Sequence, residues 1–238
     1  MENNNTHEVT RRVTLAGVAG AGLLGLATAG ASPAHAATRP SLRKGSTGAH
    51  VVALQQRLNA LTYWCGTADG NFGHLTQQAV WALQKVAHVS RDGVVGPTTW
   101  GLLDRGVKAN PRTTSGTIIE CDISENVLML VSGGRLKYTL NTSTANGKRY
   151  YSRGSWKTAH TPRGRFSIYW RYTSGWQNGS LGRMWLPAYF KGGYAIHGST
   201  SIPPYPASHG CLRVSTSAMS KLYRESWPIV GRRVYIYD

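Results

Sequence analysis

The spacing of apolar residues changes from a helical period to a strand period at about residue 116. Before that point, three segments that begin near Gly48, Leu75 and Pro97 place apolar side chains three or four positions apart. This spacing gives each segment one apolar helix face. Beyond it, short runs rich in Val, Ile, Leu and Tyr end at glycine turns, which is typical of strands. The sequence therefore predicts two domains, a small all-α module of three helices followed by a mainly-β domain.

The mainly-β domain should consist of short strands with little helix. Strands are expected at residues 117–120, 127–131, 135–140, 165–169, 194–197 and 234–237, with a short helix near 216–223. Six aromatic residues lie among these segments: Trp170, Tyr172, Trp176, Trp185, Tyr189 and Phe190. We expect at least half of them to lie in the core, because aromatic side chains dominate small cores. The others would form the wall of a groove for a peptide.

Two turns between the predicted helices share the pattern Asp-Gly-x-apolar-Gly, at residues 69–73 and 92–96. Their glycines permit a positive φ in a tight turn. Each aspartate can accept a hydrogen bond from the backbone of its own turn. We expect the apolar residues between the glycines, Phe72 and Val95, to fold into the core of the module.

The N-terminal residues 1–36 have the order of a signal peptide. Arg11 and Arg12 form a twin arginine, an Ala-, Gly- and Leu-rich run follows over residues 15–30, and a small-x-small pattern ends at Ala36. This order is typical of export by the twin-arginine route. The apolar run is too short and too glycine-rich for a membrane span, which needs about 20 apolar residues. We therefore expect an exported mature chain that is secreted or associated with the cell wall and does not span a membrane.

The chain is strongly basic. It has 27 Lys and Arg against 10 Asp and Glu, a net charge of +17. The signal peptide holds two residues of each sign, so the mature chain keeps that charge. A charge of this size attracts polyanions. Because an exported protein rarely meets nucleic acid, the expected partners are the anionic polymers and carboxylate-bearing peptides of a bacterial wall.

Three cysteines remain in the mature chain: Cys65, Cys121 and Cys211. An odd number outside the cytoplasm suggests one pair and one reactive thiol. Cys65 and Cys121 could form a disulfide that joins the two domains. They could equally be two buried thiols that behave as small apolar residues.

Residues from about 42 to 103 resemble the peptidoglycan-binding repeat found on many bacterial wall hydrolases. The matching residues are Gly45, Gly48, Val51, the run Leu-Gln-Gln-Arg-Leu at 54–58, both Asp-Gly turns, Ala79, Val80, Gln84 and Trp100. The resemblance implies a three-helix module over residues 37–104 that docks on wall glycan or peptide. The alternative is a helical spacer without a ligand. The polar residues 105–116 are interpreted as a linker.

Three motifs in residues 117–238 resemble the catalytic domain of the L,D-transpeptidases, of the YkuD type. They are Thr-Pro-Arg-Gly-Arg-Phe at 161–166, Tyr-Ala-Ile-His-Gly-Ser at 194–199 and Ser-His-Gly-Cys-Leu-Arg at 208–213. The resemblance implies an enzyme that joins third-position residues of peptidoglycan stem peptides through a cysteinyl thioester. The alternatives are an L,D-carboxypeptidase of the same fold and a wall-binding protein without activity.

The resemblance makes Cys211 the nucleophile and His197 its base. Only a thiolate attacks, and a nearby imidazole can take the proton and hold the thiolate as an ion pair. A histidine base needs its other nitrogen held, and the resemblance assigns this to the carbonyl of Gly198 or Ser199. Apart from Glu125, no acidic residue lies between Asp122 and Glu225, which argues against a Cys-His-Asp triad.

The other motif residues have supporting roles. The amides of Gly210 and Cys211, with His209 beside them, are expected to receive the oxyanion, and Ser208 and Gly198 to support the two motifs. Arg213 and Ser199 are assigned to substrate binding. Arg213 would either bind a carboxylate of the stem peptide or brace the loop.

A zinc site is the main alternative for the same residues. His197, His209 and Cys211 could supply three ligands, but His209 and Cys211 are closer in sequence than zinc ligands usually are. We therefore expect no metal and no organic cofactor.

Overall fold

The secondary structure changes from helices to strands where the spacing of apolar residues changes, at about residue 116. The computed structural model describes residues 39–238, which form one compact unit. The predicted signal peptide at residues 1–36 lies outside them. The first described part holds α1 (Ala49–Ala60), α2 (His74–Val86) and α3 (Pro97–Asp104), where the sequence predicts helices. None of the helices between residues 39 and 238 is both long enough and apolar enough to cross a membrane.

The second part consists of twelve strands and one helix. The strands are β1 (Thr117–Asp122), β2 (Val127–Ser132), β3 (Arg135–Asn141), β4 (Arg149–Ser152), β5 (Ser155–Thr158), β6 (Gly164–Ser167), β7 (Trp170–Arg171), β8 (Trp176–Gly179), β9 (Gly182–Lys191), β10 (Tyr194–Ser199), β11 (Leu212–Ser215) and β12 (Arg233–Tyr237), and the helix is α4 (Thr216–Arg224). Ser215 caps α4 by accepting a hydrogen bond from the amide of Ala218 at 3.1 Å. The prediction of a mainly-β domain is confirmed.

The two Asp-Gly turns of the helical module are built alike. Asp69 accepts from the amide of Asn71 and Asp92 from that of Val94, both at 2.9 Å, as the sequence predicts. Phe72 and Val95 are buried in the module core, also as predicted.

A buried glutamine holds each Asp-Gly turn. The side-chain amide of Gln55 donates to Asp69, to the carbonyl of Asn71 and to Thr76, and its oxygen accepts from the amide of Gly70 at 2.9 Å. Gln84 makes the same four contacts with the second turn. Sequence reasoning missed this role, although Gln55 and Gln84 stand fourteen and eight positions before their aspartates in each half of the repeat.

Ten of the strands form two sheets that share one buried core with α4, and β4 and β5 form a separate two-stranded sheet. The first sheet has the order β3-β2-β1-β12-β6 and the second β11-β10-β9-β7, with β8 paired to β9. Alternate residues of β2 face different clusters. Leu128 and Leu130 lie in the shared core, while Val127, Met129 and Val131 lie in a second cluster on the opposite face. A strand buried on both faces must be apolar throughout, and this explains the unbroken apolar run of β2.

The helical module and the predicted linker cover that opposite face. Val86 of α2 packs against the second cluster, and Ala109 of the linker is buried in it. The amides of Arg112 and Thr113 donate to the carboxylate of Glu120 on β1 at 2.9 and 2.7 Å. The segment 105–116 therefore has a packed course along the sheet.

Polar side chains of α2 also join the module to the second part. The Lys85 side chain is fully buried, and its ammonium donates to the carbonyls of Asn126 and Thr142, both at 2.9 Å, and to the side chain of Asn141. Burial lowers the pKa of Lys85 to about 7. The three acceptors oppose this effect, because they interact best with a charged ammonium.

The three cysteines, all within the described residues, carry free thiols. Cys65 is buried in the module core and Cys121 in the core shared by the sheets. Burial raises the pKa of both thiols, that of Cys65 to about 12. The structure therefore corresponds to the buried-thiol alternative and has no disulfide between the two parts.

Several strands were not predicted, and most of the six aromatic residues are less buried than expected. Strand β9 is ten residues long but carries Pro187 and a left-handed Leu186 with φ 47°, features that hide a strand pattern. The β4–β5 hairpin is mostly exposed and so lacks an apolar alternation. Among the six aromatic residues, Phe190 is buried, while Trp170 and Tyr172 are exposed. The expectation that half are core residues is wrong, because several lie on β7–β9 at the edge of the second sheet.

We predict that Gln55→Leu lowers the free energy of unfolding by about 2–3 kcal/mol, because the buried amide of Gly70 and carbonyl of Asn71 lose their partner. Gln56→Leu is the matched control. Gln56 is the next residue on α1 and is exposed, so the change should stay within about 0.5 kcal/mol. Urea unfolding followed by circular dichroism measures both, and equal effects of the two variants would contradict the role of the buried glutamine.

Candidate active site

Two parallel strands bring His197 and Cys211 together. His197 lies on β10 and is paired in register with Arg213 on β11, and Cys211 directly precedes β11. His197 and Cys211 both line a pocket of about 600 Å³. Because parallel neighbours cannot be joined by a tight hairpin, residues 200–211 form a crossover connection between them.

His197 is held as a neutral base. It is 5% exposed, and its Nδ1 lies 2.9 Å from the carbonyl oxygen of Gly198. A carbonyl only accepts, so Nδ1 carries the hydrogen and Nε2 is left as the basic nitrogen. Burial lowers the pKa of His197 to about 4. The Gly198 contact acts in the opposite direction, and the charge of Arg213 lowers the pKa further.

The surroundings of Cys211 favour a neutral thiol. Its Sγ donates a long hydrogen bond, 3.8 Å, to the carbonyl of Gly193. Burial raises its pKa, although the amide of Ala195 and the charge of Arg213 act in the opposite direction. Both shifts favour an uncharged thiol beside an uncharged imidazole. Both shifts therefore act against the ion pair that the sequence predicts.

Ser208 organises the loop before the cysteine. Its hydroxyl donates to the carbonyl of Cys211 at 2.7 Å and accepts from the amide of Gly210 at 3.0 Å. The Gly210 amide is thus already used. The sequence-based expectation that this amide receives an oxyanion is corrected, because a donor bonded within its own loop is not available to a substrate.

Gly210 has a conformation and surroundings that exclude a side chain. Its φ is 145°, and a Cβ atom would lie 2.3 Å from the ring of Tyr194 and 2.5 Å from the carbonyl oxygen of His160. Its own carbonyl accepts from the hydroxyl of Thr161 at 3.0 Å, and that hydroxyl accepts from the amide of Ala145. Thr161, noted in the sequence only as a motif residue, thus braces the cysteine loop.

Gly198 and Ser199 serve the local structure of β10. A Cβ atom on Gly198 would lie 2.9 Å from Trp185 and 3.0 Å from the backbone of Thr216, so the strand can approach its neighbours this closely only with glycine. The hydroxyl of Ser199 donates to the carbonyl of Ser201 at 3.2 Å and accepts from its amide. Ser199 therefore lines the pocket with a hydroxyl that closes a turn.

Arg213 has features of both roles expected from the sequence, bracing of the loop and binding of a carboxylate. Its backbone braces the loop, because its carbonyl accepts from the hydroxyl of Thr142 at 2.8 Å and its amide donates to Ser143. Its guanidinium has no hydrogen-bond partner among residues 39–238 and lines the pocket. Burial lowers its pKa, an effect that a thiolate at Cys211 opposes. The guanidinium is thus available to a carboxylate.

The β4–β5 hairpin forms a wall of the pocket that sequence reasoning missed. Tyr150, Arg153 and Lys157 line the pocket, and the ring of Tyr150 packs on His209 with centroids 4.6 Å apart. Arg153-Gly154 forms the two-residue turn of this hairpin, with both φ values positive. The one sequence signal for this turn is its glycine, because arginine is not a typical residue at such a position.

The pocket is basic. Four cationic side chains line it, from Arg153, Lys157, Arg183 and Arg213, and no Asp or Glu of the described chain does so. A concave site with one sign of charge concentrates ligands of the opposite sign. The arrangement suits a substrate that carries carboxylates.

The zinc alternative has no support in the geometry. Within residues 39–238, His197, His209 and Cys211 do not form a cluster of metal-ligand side chains, and no other group of three or more His, Cys, Asp or Glu does. The ring of His209 lies against Tyr150.

Comparisons with known proteins identify the families that both parts of the chain resemble. A family model of the L,D-transpeptidase catalytic domain matches residues 116–236, and a model of a putative peptidoglycan binding domain matches residues 47–103. The crystal structure of an L,D-transpeptidase from Xylanimonas cellulosilytica is 48% identical, with a TM-score of 0.80, and the match covers 84% of this chain and 98% of that chain.

Curated relatives match a smaller part. The N-acetylmuramoyl-L-alanine amidase CwlL of Bacillus licheniformis is 42% identical over 74 residues, which is 30% of this chain and 21% of the amidase. A probable amidase from the same organism is 45% identical over 60 residues, 17% of its own length. This chain therefore spans about a fifth of the amidases that it matches.

The family match lies in residues 116–236. The family model covers just over half of the chain, and the 48% identity to the Xylanimonas enzyme extends over nearly the whole of that structure. This chain belongs to the L,D-transpeptidase family.

Proposed function

We propose that this protein is a peptidoglycan L,D-transpeptidase that forms cross-links between third-position residues through a thioester on Cys211. The observation that carries the proposal is the pairing of a neutral His197, with Nε2 free to accept a proton, and the Cys211 thiol in one basic pocket.

The first half-reaction transfers an acyl group to the enzyme. The sulfur of Cys211 attacks the carbonyl carbon of the third residue of a tetrapeptide stem, and Nε2 of His197 takes the thiol proton as the S–C bond forms. His197 then gives that proton to the leaving nitrogen, the C–N bond breaks, and the terminal D-alanine departs. A thioester remains on Cys211.

The second half-reaction uses the side-chain amine of a diamino acid on another stem. The amine attacks the thioester carbon and forms a C–N bond, and His197 takes a proton from the nitrogen. The C–S bond then breaks, His197 returns the proton to the sulfur of Cys211, and an amide bond joins two third-position residues. If water attacks instead, the product is a tripeptide and the enzyme is a carboxypeptidase.

The backbone donor for the oxyanion is then the amide of Cys211, because the amide of Gly210 donates to Ser208. A donor of this kind typically contributes about 3 kcal/mol to transition-state stabilisation. The guanidinium of Arg213 and the other pocket cations bind carboxylates of the stem peptide.

The helical module would hold the enzyme on its insoluble substrate, which raises the effective concentration of stem peptides at the pocket. The N-terminal signal would direct export, and the basic surface would bind anionic wall polymers as well as peptidoglycan. The mature enzyme would then act outside the cell, secreted or associated with the wall.

We expect the purified enzyme incubated with a disaccharide-tetrapeptide to form an acyl adduct on Cys211, release D-alanine and produce a cross-linked dimer, all visible by mass spectrometry. Cys211→Ala should form none of these. His197→Gln should acylate at least about 100-fold more slowly, because the base is lost. His88→Gln, at an exposed histidine outside the pocket, is the matched control and should react normally.

The other outcomes of this experiment separate the alternatives. D-alanine release with tripeptide as the sole product would show a carboxypeptidase. No adduct and no release, with the Cys211 thiol intact, would contradict an enzyme for this substrate and leave a wall-binding protein.

The neutral resting state predicts the pH dependence of Cys211 alkylation. Because burial raises the pKa of the thiol, the rate with iodoacetamide should rise with pH through a midpoint above that of a free cysteine. Acylation should lose rate only as the pH falls towards 4, where His197 becomes protonated. Mass spectrometry of the Cys211 peptide measures the first profile. A rapid alkylation already at a plateau at pH 6 would indicate an ion pair and overturn the neutral state.

A further inference from the structure

A second groove lies beside the active-site pocket, with walls from both parts of the chain. It has a volume of about 550 Å³, within the range of small-ligand sites. The helical module contributes Trp64 and Leu75, the second sheet contributes Trp176 and Trp185, and α4 contributes Arg224. We propose that this groove binds the glycan strand that carries the stem peptide. The inference rests on the proposed function and names a glycan subsite for it.

The groove combines indole rings with hydroxyl groups. Besides the three tryptophans, its lining includes five hydroxyl side chains: Thr67, Thr200, Thr216, Ser217 and Ser220. A sugar ring has an apolar face of C–H groups and a rim of hydroxyls and acetamido groups. Indoles offer a rigid apolar surface for the face, and side-chain hydroxyls can both donate to and accept from the rim.

Two of the indoles are fixed before any ligand arrives. The Nε1 of Trp185 donates to the hydroxyl of Ser220 at 2.8 Å. Trp176 packs edge-on against Trp185 with ring centroids 5.5 Å apart. Groups held in this way lose little side-chain freedom on binding, which favours affinity.

The pocket and the groove differ in charge, as do the peptide and the glycan of the proposed substrate. Four cationic side chains line the pocket, whereas Arg224 is the one charged side chain that lines the groove among the described residues. Two further cations lie over rings of the groove, Arg183 at 4.8 Å from the centroid of Trp176 and Lys221 at 5.7 Å from that of Trp64. The carboxylates of the substrate belong to the stem peptide, and its sugar rings are largely neutral. Charge complementarity therefore places the peptide in the pocket and the glycan in the groove.

The two sites adjoin at the end of β10. Ser199 and Ser201 line the pocket, and Thr200 between them lines the groove. The β8–β9 hairpin is also shared, since its tip at residues 179–184 lines the pocket and Trp176 and Trp185 line the groove. A peptide that leaves the pocket past residues 199–201 therefore enters the groove.

The groove exists only while the helical module is docked. The amide of Thr139 donates to the carbonyl of Thr62 at 2.8 Å, close in sequence to Trp64. On the other side, the side chain of Gln78 donates to the carbonyl of Ile202 at 3.2 Å. These contacts present Trp64 to the second sheet, so the module contributes directly to recognition of the strand being cross-linked.

The test compares a tetrapeptide with and without its disaccharide as acyl donor. The wild type should have a higher kcat/KM for the disaccharide-bearing donor. Trp64→Ala and Trp176→Ala should each reduce that preference by about tenfold while leaving the free tetrapeptide within about twofold of wild type. Trp170→Ala, at a tryptophan 55% exposed and outside the groove, is the matched control and should keep the full preference.

Calorimetric titration with the peptide-free disaccharide provides an independent readout. Binding to the wild type that is lost in Trp64→Ala and Trp176→Ala would support the groove even if neither donor is turned over, in which case the proposed function alone fails. Full preference and full disaccharide binding in both variants would overturn the groove. An equal loss for both donors in a variant would also overturn it, because the tryptophan would then act on folding or on the pocket and not on the glycan.

Discussion

The candidate active site depends on the parallel pairing of β10 with β11. This pairing places the residue before β11 next to β10, and so brings Cys211 and His197 into one pocket. Parallel neighbours require a crossover, here the irregular segment 200–211. The backbone N–H and C=O groups of an irregular segment need hydrogen-bond partners outside it. The position of the Cys211 thiol therefore depends on the residues that form hydrogen bonds with this segment.

Contacts from distant parts of the chain hold the crossover. The carbonyl of Thr144 accepts from the amides of Ala207 and Ser208, and the carbonyl of Ile202 accepts from Gln78 of the helical module and from Asn141. The module is therefore part of the framework of the candidate active site. The buried Lys85 extends this framework, because its ammonium joins α2 to the segment 141–142 that precedes Thr144.

Burial and charge act in opposite directions in the pocket. Burial favours the uncharged forms of both His197 and Cys211, while the surrounding cations favour anionic ligands and a developing thiolate. In the proposed mechanism, the thiol rests in its neutral form, and its proton moves to the imidazole as the substrate binds and is attacked. Such a resting thiol is less exposed to unwanted oxidation, since susceptibility follows thiolate character.

Much of this protein is determined by local sequence. Periodicity, turn chemistry and short patterns predict the helices of the module, the hydrogen bonds of its Asp-Gly turns, most strands of the first sheet and the motifs around His197 and Cys211. Four features do not follow from local sequence: the exposed β4–β5 hairpin, the interrupted strand β9, the hydrogen bonds of the buried Gln55 and Gln84 to the Asp-Gly turns, and the hydrogen bond from the Gly210 amide to Ser208. The tertiary structure alone decided these features. The partner of a polar group and the neighbour of an edge strand depend on which distant segments of the chain lie beside them. The local spacing of residues carries no information about which segments those are.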